Sequence, residues 1–393
     1  MFDAIYVQNE YISMKKLIFK KFVGDVFKTF IIICISISLI VWVIQAVKFL
    51  DYVTEDGHSF KIYFSYTILN LPKIIHRIFP FVFFISLFYE ITRYELKNEL
   101  LVLWANGIKK ISFINTVIIY SLLITSFQIF LGSYISPFSQ NKARDFIRNS
   151  NIDFFPSLIK SGKFIDTVSD LTIFIETQDE FGNYQNIFLK DSLNEEKTNN
   201  ENRFQIIYAK SGKLITNDKK KKFRLFDGKI INNSNGDITN FSFDRVDFNL
   251  DKYTSKTTVY PKIQEVSSKE LLRCMYYIYK NKIKEFNSSY LTCSKTIMSE
   301  IIQELLKRIY KPMYLPLIGL IISLQIINSK ENKNYERHKV FIFLITFFLI
   351  VASEFSLRFS TNSIHGFIFF ISFPILLFLT IYISLITKFK NKI

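Results

Sequence analysis

Six runs of predominantly apolar residues, three near each end of the chain, constrain this sequence more than any other feature. A helix needs about 20 such residues to cross the hydrocarbon of a bilayer. Residues 27–50 (FKTFIIICISISLIVWVIQAVKFL) supply them. A second run lies within 63–91, richest at 78–88 and interrupted by Pro72 and Pro80. A third covers 111–133. The next ~170 residues are polar and hold no run long enough to span. Runs at 309–327, 340–357 and 366–387 complete the set. The expected fold class is therefore an α-helical membrane protein with six transmembrane helices, arranged three plus three around a polar insert. The first run begins late, is long, and lacks a small-residue cleavage site, so it is not read as a cleaved signal peptide.

Composition agrees with this reading. Apolar residues make up 49% and aromatics 17%, with 43 Phe. That excludes a disordered, collagenous or disulfide-framework chain, and the uneven spread of apolar residues argues against an ordinary soluble enzyme. The net charge of +16 is compatible with nucleic acid, an anionic membrane surface or an acidic substrate. Its distribution narrows the choice. Lys15, Lys16, Lys20 and Lys21 precede span one; Arg93, Lys97, Lys109 and Lys110 follow span two. Lys330, Lys333, Arg337 and Lys339 follow span four, and Lys388, Lys390 and Lys392 end the chain. The opposite loops are poor in cations: residues 51–62 hold only Lys61 against Asp51, Glu55 and Asp56, and 359–365 hold none. By the positive-inside rule both termini are cytoplasmic and the polar segment is extracytoplasmic. Nucleic-acid binding loses most of its basis, because much of the positive charge serves as an orientation signal.

The polar segment reads as β-structure over most of its length. Short β-branched runs near 171–177, 184–189, 203–209, 214–216, 222–226, 229–232, 238–243 and 245–250 are separated by turn signals such as Ser211-Gly212-Lys213, Asp227-Gly228 and Asn235-Gly236-Asp237. Residues 191–202 read as a long polar loop, and Lys219 to Lys222 as a solvated hairpin tip. Strands this short and closely spaced predict an all-β sandwich or jelly-roll-like domain. From 267 to 311 the pattern turns helical and leads directly into span four, with Pro312 and Pro316 near its start, where neighbours can satisfy the freed carbonyls. The expected domains are 1–135, a three-span half; 136–305, the β-domain with flanking helices; and 306–393, the second three-span half.

No catalytic constellation stands out. His58, His76, His338 and His365 are scattered without metal-ligand spacing. There is no nucleophile elbow, and Ser161-Gly-Lys163 and Ser211-Gly-Lys213 lack the remainder of a phosphate loop. The chain is thus read as carrying no ATP site or other cofactor of its own. Asn-x-Ser sequons at Asn232, Asn240 and Asn287 are expected by chance in so Asn-rich a chain. Cys34, Cys274 and Cys293 form no Cys-x-x-Cys pair, which excludes a zinc ribbon; Cys274 and Cys293 could bond in an oxidising compartment. The informative segment lies at about 94–107, between spans two and three. Leu100, Leu103, Trp104 and Ile108 recur at helical spacing, and Gly107 is placed to end the helix. Such a helix either lies on the lipid surface or docks in a partner's groove; cationic flanks favour the first, and Glu95 and Glu99 the second.

Glu99-Leu100-x-x-x-x-Ala105-x-Gly107 after a proline-bearing span resembles the LptF/LptG permease family, the membrane subunits of the lipopolysaccharide-exporting ABC transporter of Gram-negative bacteria. Ala209-Lys-Ser211-Gly212-Lys-Leu, Leu225-Phe-Asp-Gly228 and Glu304-Leu-Leu-Lys307-Arg308-x-x-x-Pro312 extend the resemblance along nearly the whole chain. Lys307-Arg308 to Pro316 and Ser353-Glu354 lean to the LptF-like member. The resemblance implies an inner-membrane permease that pairs with a paralogous six-span permease, takes up lipopolysaccharide, and hands it through the β-domain to a periplasmic bridge of similar folds. A cytoplasmic ATPase dimer would use ATP and act through the loop helix. Glu99 is then the ATPase-coupling acid, with Leu103, Trp104 and Gly107 shaping the docking surface.

Substrate contact follows from chemistry. A phosphorylated, multiply acylated sugar needs an apolar cavity with cations near the outer interface, and ionisable groups at membrane depth are costly and usually functional. Lys48, Lys73, His76, Arg77 and Arg358 lie near the outer ends of spans, where snorkelling to headgroups is the competing role. Glu354, four residues before Arg358, is expected to pair with it along the helix. Two other classes compete: a membrane-anchored enzyme with a β-rich catalytic domain, which the absence of histidine from 136–305 disfavours, and a scaffold, which has no reason to carry an ATPase-docking helix.

Overall fold

The computed structural model describes residues 2–50, 60–149, 161–168, 171–179, 183–192, 204–217, 220–234, 237–249, 262–282, 286, 291, 293–361 and 363–390. Asp51, Glu55, Asp56, His58, residues 180–182 and 193–202, Lys219, Asn235, Gly236, Asn287 and Lys392 lie outside them. The chain divides into two compact units, 1–43 with 70–141 and 261–393, and 44–69 with 142–260. Residues 262–305, assigned with the β-domain from sequence, group with the membrane helices instead.

The first unit is helical. Its elements are α1 (Phe2–Lys48), α3 (Leu71–Leu96), α4 (Glu99–Ala105), α5 (Lys110–Phe130), α6 (Ser136–Asn149), α7 (Ser268–Tyr279), α8 (Met298–Leu305), α9 (Tyr314–Ser323), α10 (Tyr335–Phe359) and α11 (Ile364–Lys390); α2 (Phe60–Leu69) falls in the other unit, and α1 and α6 extend into it. Among the described residues, six helical stretches are long and apolar enough to cross a membrane: Leu17–Lys48, Phe60–Leu96, Lys110–Phe146, Lys295–Ile327, Tyr335–Phe359 and Ile364–Phe389. All six expected runs are among them. Pro72 sits in the first turn of α3, where the missing N–H has no intrahelical partner to lose. Every residue of α9 is buried, which makes span four the centre of the unit. It packs against α5, α3, α10 and α11. Ile32, Leu39 and Ile40 of α1 are exposed, as a hydrocarbon-facing helix requires.

Two of these spans leave ideal α-geometry. Leu131–Ile135 and Leu306–Tyr310 are π-helical turns, and Lys311–Met313 is a 3-10 turn at Pro312. Such turns concentrate at functional sites. Before span four, Ser267 caps α7 by accepting the Glu270 N–H at 3.3 Å. Leu271, Cys274 and Ile278 then face a small core with Val266, Ile301 and Leu305. Cys274 and Cys293 form a disulfide across 19 residues; closing a loop of that length removes about 3 kcal/mol of unfolded-chain entropy.

The second unit carries one antiparallel sheet of β1 (Lys163–Val168), β2 (Leu171–Gln178), β3 (Asn183–Ser192), β4 (Phe204–Asn217), β5 (Lys220–Ser234) and β6 (Asp237–Asn249), in the order of the sequence. One row of the register runs Ile173, Leu189, Ile207, Ile230 and Phe241. Ile175 and Ile187 are fully buried in its core, each worth about 1.5–3 kcal/mol in apolar transfer. The opposite face carries an aromatic row, Phe164, Phe174, Phe188 and Tyr208. Arg224 and Asp247, directly opposed on β5 and β6, share two hydrogen bonds of 2.7 and 3.0 Å. Those bonds hold the Asp247 carboxyl below the usual carboxylate range. The pair's contribution is therefore present at neutral pH and is lost as pH falls through that lowered value.

This sheet differs from the expected jelly roll. A jelly roll pairs strands distant in sequence, whereas each described strand pairs only with its sequence neighbours. Links of two residues, from Asn217 to Lys220 and from Ser234 to Asp237, permit only sequential antiparallel pairing. The expected turn at Ser211-Gly212-Lys213 lies inside β4, and Asp227-Gly228 lies inside β5, where Asp227 takes φ 48° as a local irregularity. Hydrogen-bonded neighbours on both sides keep these segments extended. The lysines from Lys220 onward do open a strand at a hairpin.

Candidate functional site

Two sites emerge within the helical unit. The first is α4. Gly107, at φ 76°, closes it with paired bonds: its N–H reaches Trp104 O at 3.0 Å and the Ile108 N–H reaches Leu103 O at 3.2 Å. This is a Schellman cap, with Leu103 and Ile108 in the accompanying apolar contact positions and both buried. Glu99 is the first residue of α4 and lies 3.6 Å from Lys21 Nζ. Trp104 is half-buried, edge-on to Phe113 at 6.0 Å, with Lys110 Nζ 5.7 Å from its ring centre. Leu103 is buried in the chain's own apolar core and offers no exposed surface. The exposed apolar pair is Leu101 and Val102, each 54% accessible. Sequence reasoning passed over these two because helical periodicity marks the face a helix buries, not the face it offers.

The second site is a cavity of about 680 Å³ near the ends of α3, α5, α8 and α10. Lys73, His76 and Arg77 stand at positions three and four apart on α3, so one face presents them together. His76, Arg77 and Arg358 line the cavity with Lys307, Lys311, Gln128, Gln303 and Glu300. Lys73 lines an adjoining cleft with His76, Arg77 and Lys307. The structure thus gathers four of the five expected ionisable side chains. Lys48, exposed in the last turn of α1, belongs to the other compact unit.

Lys307 and Lys311 were missed as site residues, although their spacing of four predicts a shared face. Lys307 Nζ is 3.2 Å from Glu304. Lys311, 9% accessible in its side chain, is paired with Glu354. The expected Glu354–Arg358 pair is therefore replaced by one between spans four and five, because the 3-10 turn at Pro312 brings Lys311 to that carboxylate. Among the described residues Arg77 and Arg358 make no ion pair, and both are exposed. They supply the cavity's uncommitted positive charge, suited to an anionic group of a bound molecule.

The π-turn after α5 shapes this wall. A Cβ on Gly132 would lie 2.4 Å from His76 Cε1, so only glycine lets the imidazole lie against the turn. Gly132→Ala is expected to lower stability by about 1–3 kcal/mol through this overpacking. His76→Ala combined with Gly132→Ala should recover most of that loss. Thermal unfolding of both variants in detergent measures it.

Comparison with known proteins bears on these sites. A relative from Rickettsia prowazekii (strain Madrid E), named Uncharacterized protein RP871, is 25% identical over 244 residues, which cover 61% of this chain and 65% of that protein. The chain thus matches just under two thirds of that relative's length. The sequence profile of the lipopolysaccharide export system permease LptF/LptG family matches residues 22–388, a stretch that takes in most of the first span, the next four whole and nearly all of the sixth, with every described strand, α4 and the cationic cavity, and on that match the chain belongs to the LptF/LptG family.

Proposed function

We propose that this chain is the permease subunit of an ABC transporter that extracts lipopolysaccharide from the inner membrane and passes it toward a periplasmic bridge protein. The observation that carries the reading is the family match over 22–388. The chain crosses the inner membrane six times, three spans on either side of the sheet in sequence, with both termini cytoplasmic. The Cys274–Cys293 disulfide supports a periplasmic setting for the segment before span four, since such bonds persist in oxidising compartments. A paralogous six-span permease completes the cavity for the lipid. A cytoplasmic ATPase dimer hydrolyses the ATP and docks on α4, where Glu99, the exposed Leu101 and Val102, and the Gly107 cap form the contact, with Leu103 and Trp104 supporting it from beneath. Arg77 and Arg358, with Lys73 and His76 beside them, hold phosphate groups of the substrate, and Lys48 contributes at the end of span one. The sheet receives the lipid and delivers it to a partner of similar β-fold. Lys307-Arg308 through Pro316, with Ser353-Glu354, favour the LptF-like role within the pair.

The test is affinity purification of the tagged chain from native membranes, with bound proteins identified and ATP hydrolysis measured. A second six-span permease and an ATPase are expected. Glu99→Ala should weaken ATPase association or activity by roughly tenfold, the scale of a central interface residue. Recovery of no ATPase under conditions that preserve complexes would overturn the proposal.

A further inference from the structure

Lys21, Asp25 and Thr29 stand four residues apart on α1 and so share one face of that helix. Each meets a polar group from the segment that ends in the docking helix. Lys21 Nζ lies 3.6 Å from Glu99 of α4. Asp25 Oδ2 accepts hydrogen bonds from Arg93 Nη2 at 3.2 Å and Tyr94 OH at 2.8 Å. The Thr29 hydroxyl donates to Glu90. Glu90 is fully buried, and its other oxygen lies 2.9 Å from Arg93 Nη2. Arg93 thereby bridges a carboxylate on α1 and one on α3. A neighbouring stripe of α1, Phe22, Val26 and Phe30, packs in the apolar core, with Phe22 against Tyr94 and Phe113, and Phe30 against Phe79.

We propose that this polar zipper is the positioning element that carries displacement of α4 to the first span. The proposal rests on the reading of α4 as the ATPase-docking helix. Apolar packing alone would hold two helices together in a membrane, and it tolerates sliding. Buried charge is costly there, and its best-attested use is to fix register. A shift of α1 by one turn against α3 breaks all three contacts at once. Span one is also the helix with the least support elsewhere, since only 11% of its apolar window is buried within the chain. Its position therefore follows the groups that grip it: Glu99 moves with α4, and Arg93 stands in the last turn of α3, which leads into α4. Asp25, Glu90 and Arg93 act through the helices they hold and are positioning residues.

The test uses the full chain in native membranes with its partners, in a Cys34→Ser background. Leu103→Cys provides a buried reporter on α4, and Lys333→Cys, in the loop after span four, an exposed control outside the docking contact. Asp25→Asn and Glu90→Gln are each expected to raise maleimide labelling at position 103 by about fivefold. The rate at position 333 and the amount of chain should stay unchanged. Asp25→Glu should restore protection, which a merely destabilised fold would not allow. In the same membranes, Asp25→Asn should lower lipid released per ATP hydrolysed by about fivefold, with ATPase still bound. Unchanged labelling at position 103, or an unchanged release ratio, would overturn the zipper while leaving the docking reading intact. If wild-type membranes contain no bound ATPase, the docking reading fails, and the coupling role falls with it even where the labelling change appears.

Discussion

Replacing Arg308 with alanine will destabilise the chain by about 3–5 kcal/mol, the cost of stripping one partner from a buried charged network. Arg308 is 1% accessible. Its Nε donates to Glu304 at 2.9 Å, Nη1 to Val266 O at 2.9 Å and Ser268 Oγ at 3.0 Å, and Nη2 to Gln264 O at 2.9 Å. Ser268 in turn donates to Ser133 O in the π-turn after α5. One guanidinium thus gathers the 263–268 strap, the start of span four and the end of span three. Truncation leaves the Val266 and Gln264 carbonyls without this donor and Glu304 with Lys307 alone. Arg308→Lys keeps the charge and loses the fork, so it should recover less than half of the loss. Thermal unfolding in detergent and protease cleavage near 262–268 are the measurements. A loss under about 1 kcal/mol would mean that water replaces the guanidinium at these carbonyls.

The second large effect concerns Glu354. Glu354→Gln leaves Lys311 buried without its carboxylate and beside other cations of the cavity. A cost of about 3 kcal/mol is expected. Lys311→Met alone should be milder, because Glu354 is 44% accessible in its side chain and can turn to water. The double variant Glu354→Gln with Lys311→Met should be more stable than Glu354→Gln alone. This ordering separates a charge effect from a packing effect. Thermal unfolding of the three variants reads it directly; a Glu354→Gln variant as stable as wild type would show that Lys311 is already hydrated.

Much of this architecture was legible in the chain. Spans are set by composition over about 20 residues, a local property, and each expected run became a membrane-length helix. Gly107 was legible as a helix stop because a left-handed residue is a local requirement. Asp25 and Glu90 were not singled out, since a lone carboxylate near a span end has no meaning until Arg93 is seen between them. The strand limits within the sheet were misread for a related reason. Ser211-Gly212-Lys213 has the composition of a turn, but hydrogen bonds to β3 and β5 on its two sides hold it extended.

The sequence by itself determined which segments can enter hydrocarbon, where α4 stops, and which cations stand near the span ends, because these depend on residues a few positions apart. Tertiary structure decided the rest. It merged short β-runs into long strands, moved Glu354 from Arg358 to Lys311, and brought Lys73, His76, Arg77, Lys307 and Arg358 around adjoining hollows. Each of these outcomes depends on groups far apart in the chain, and their distances are set by packing and by the need to satisfy every buried polar group, which no local pattern records.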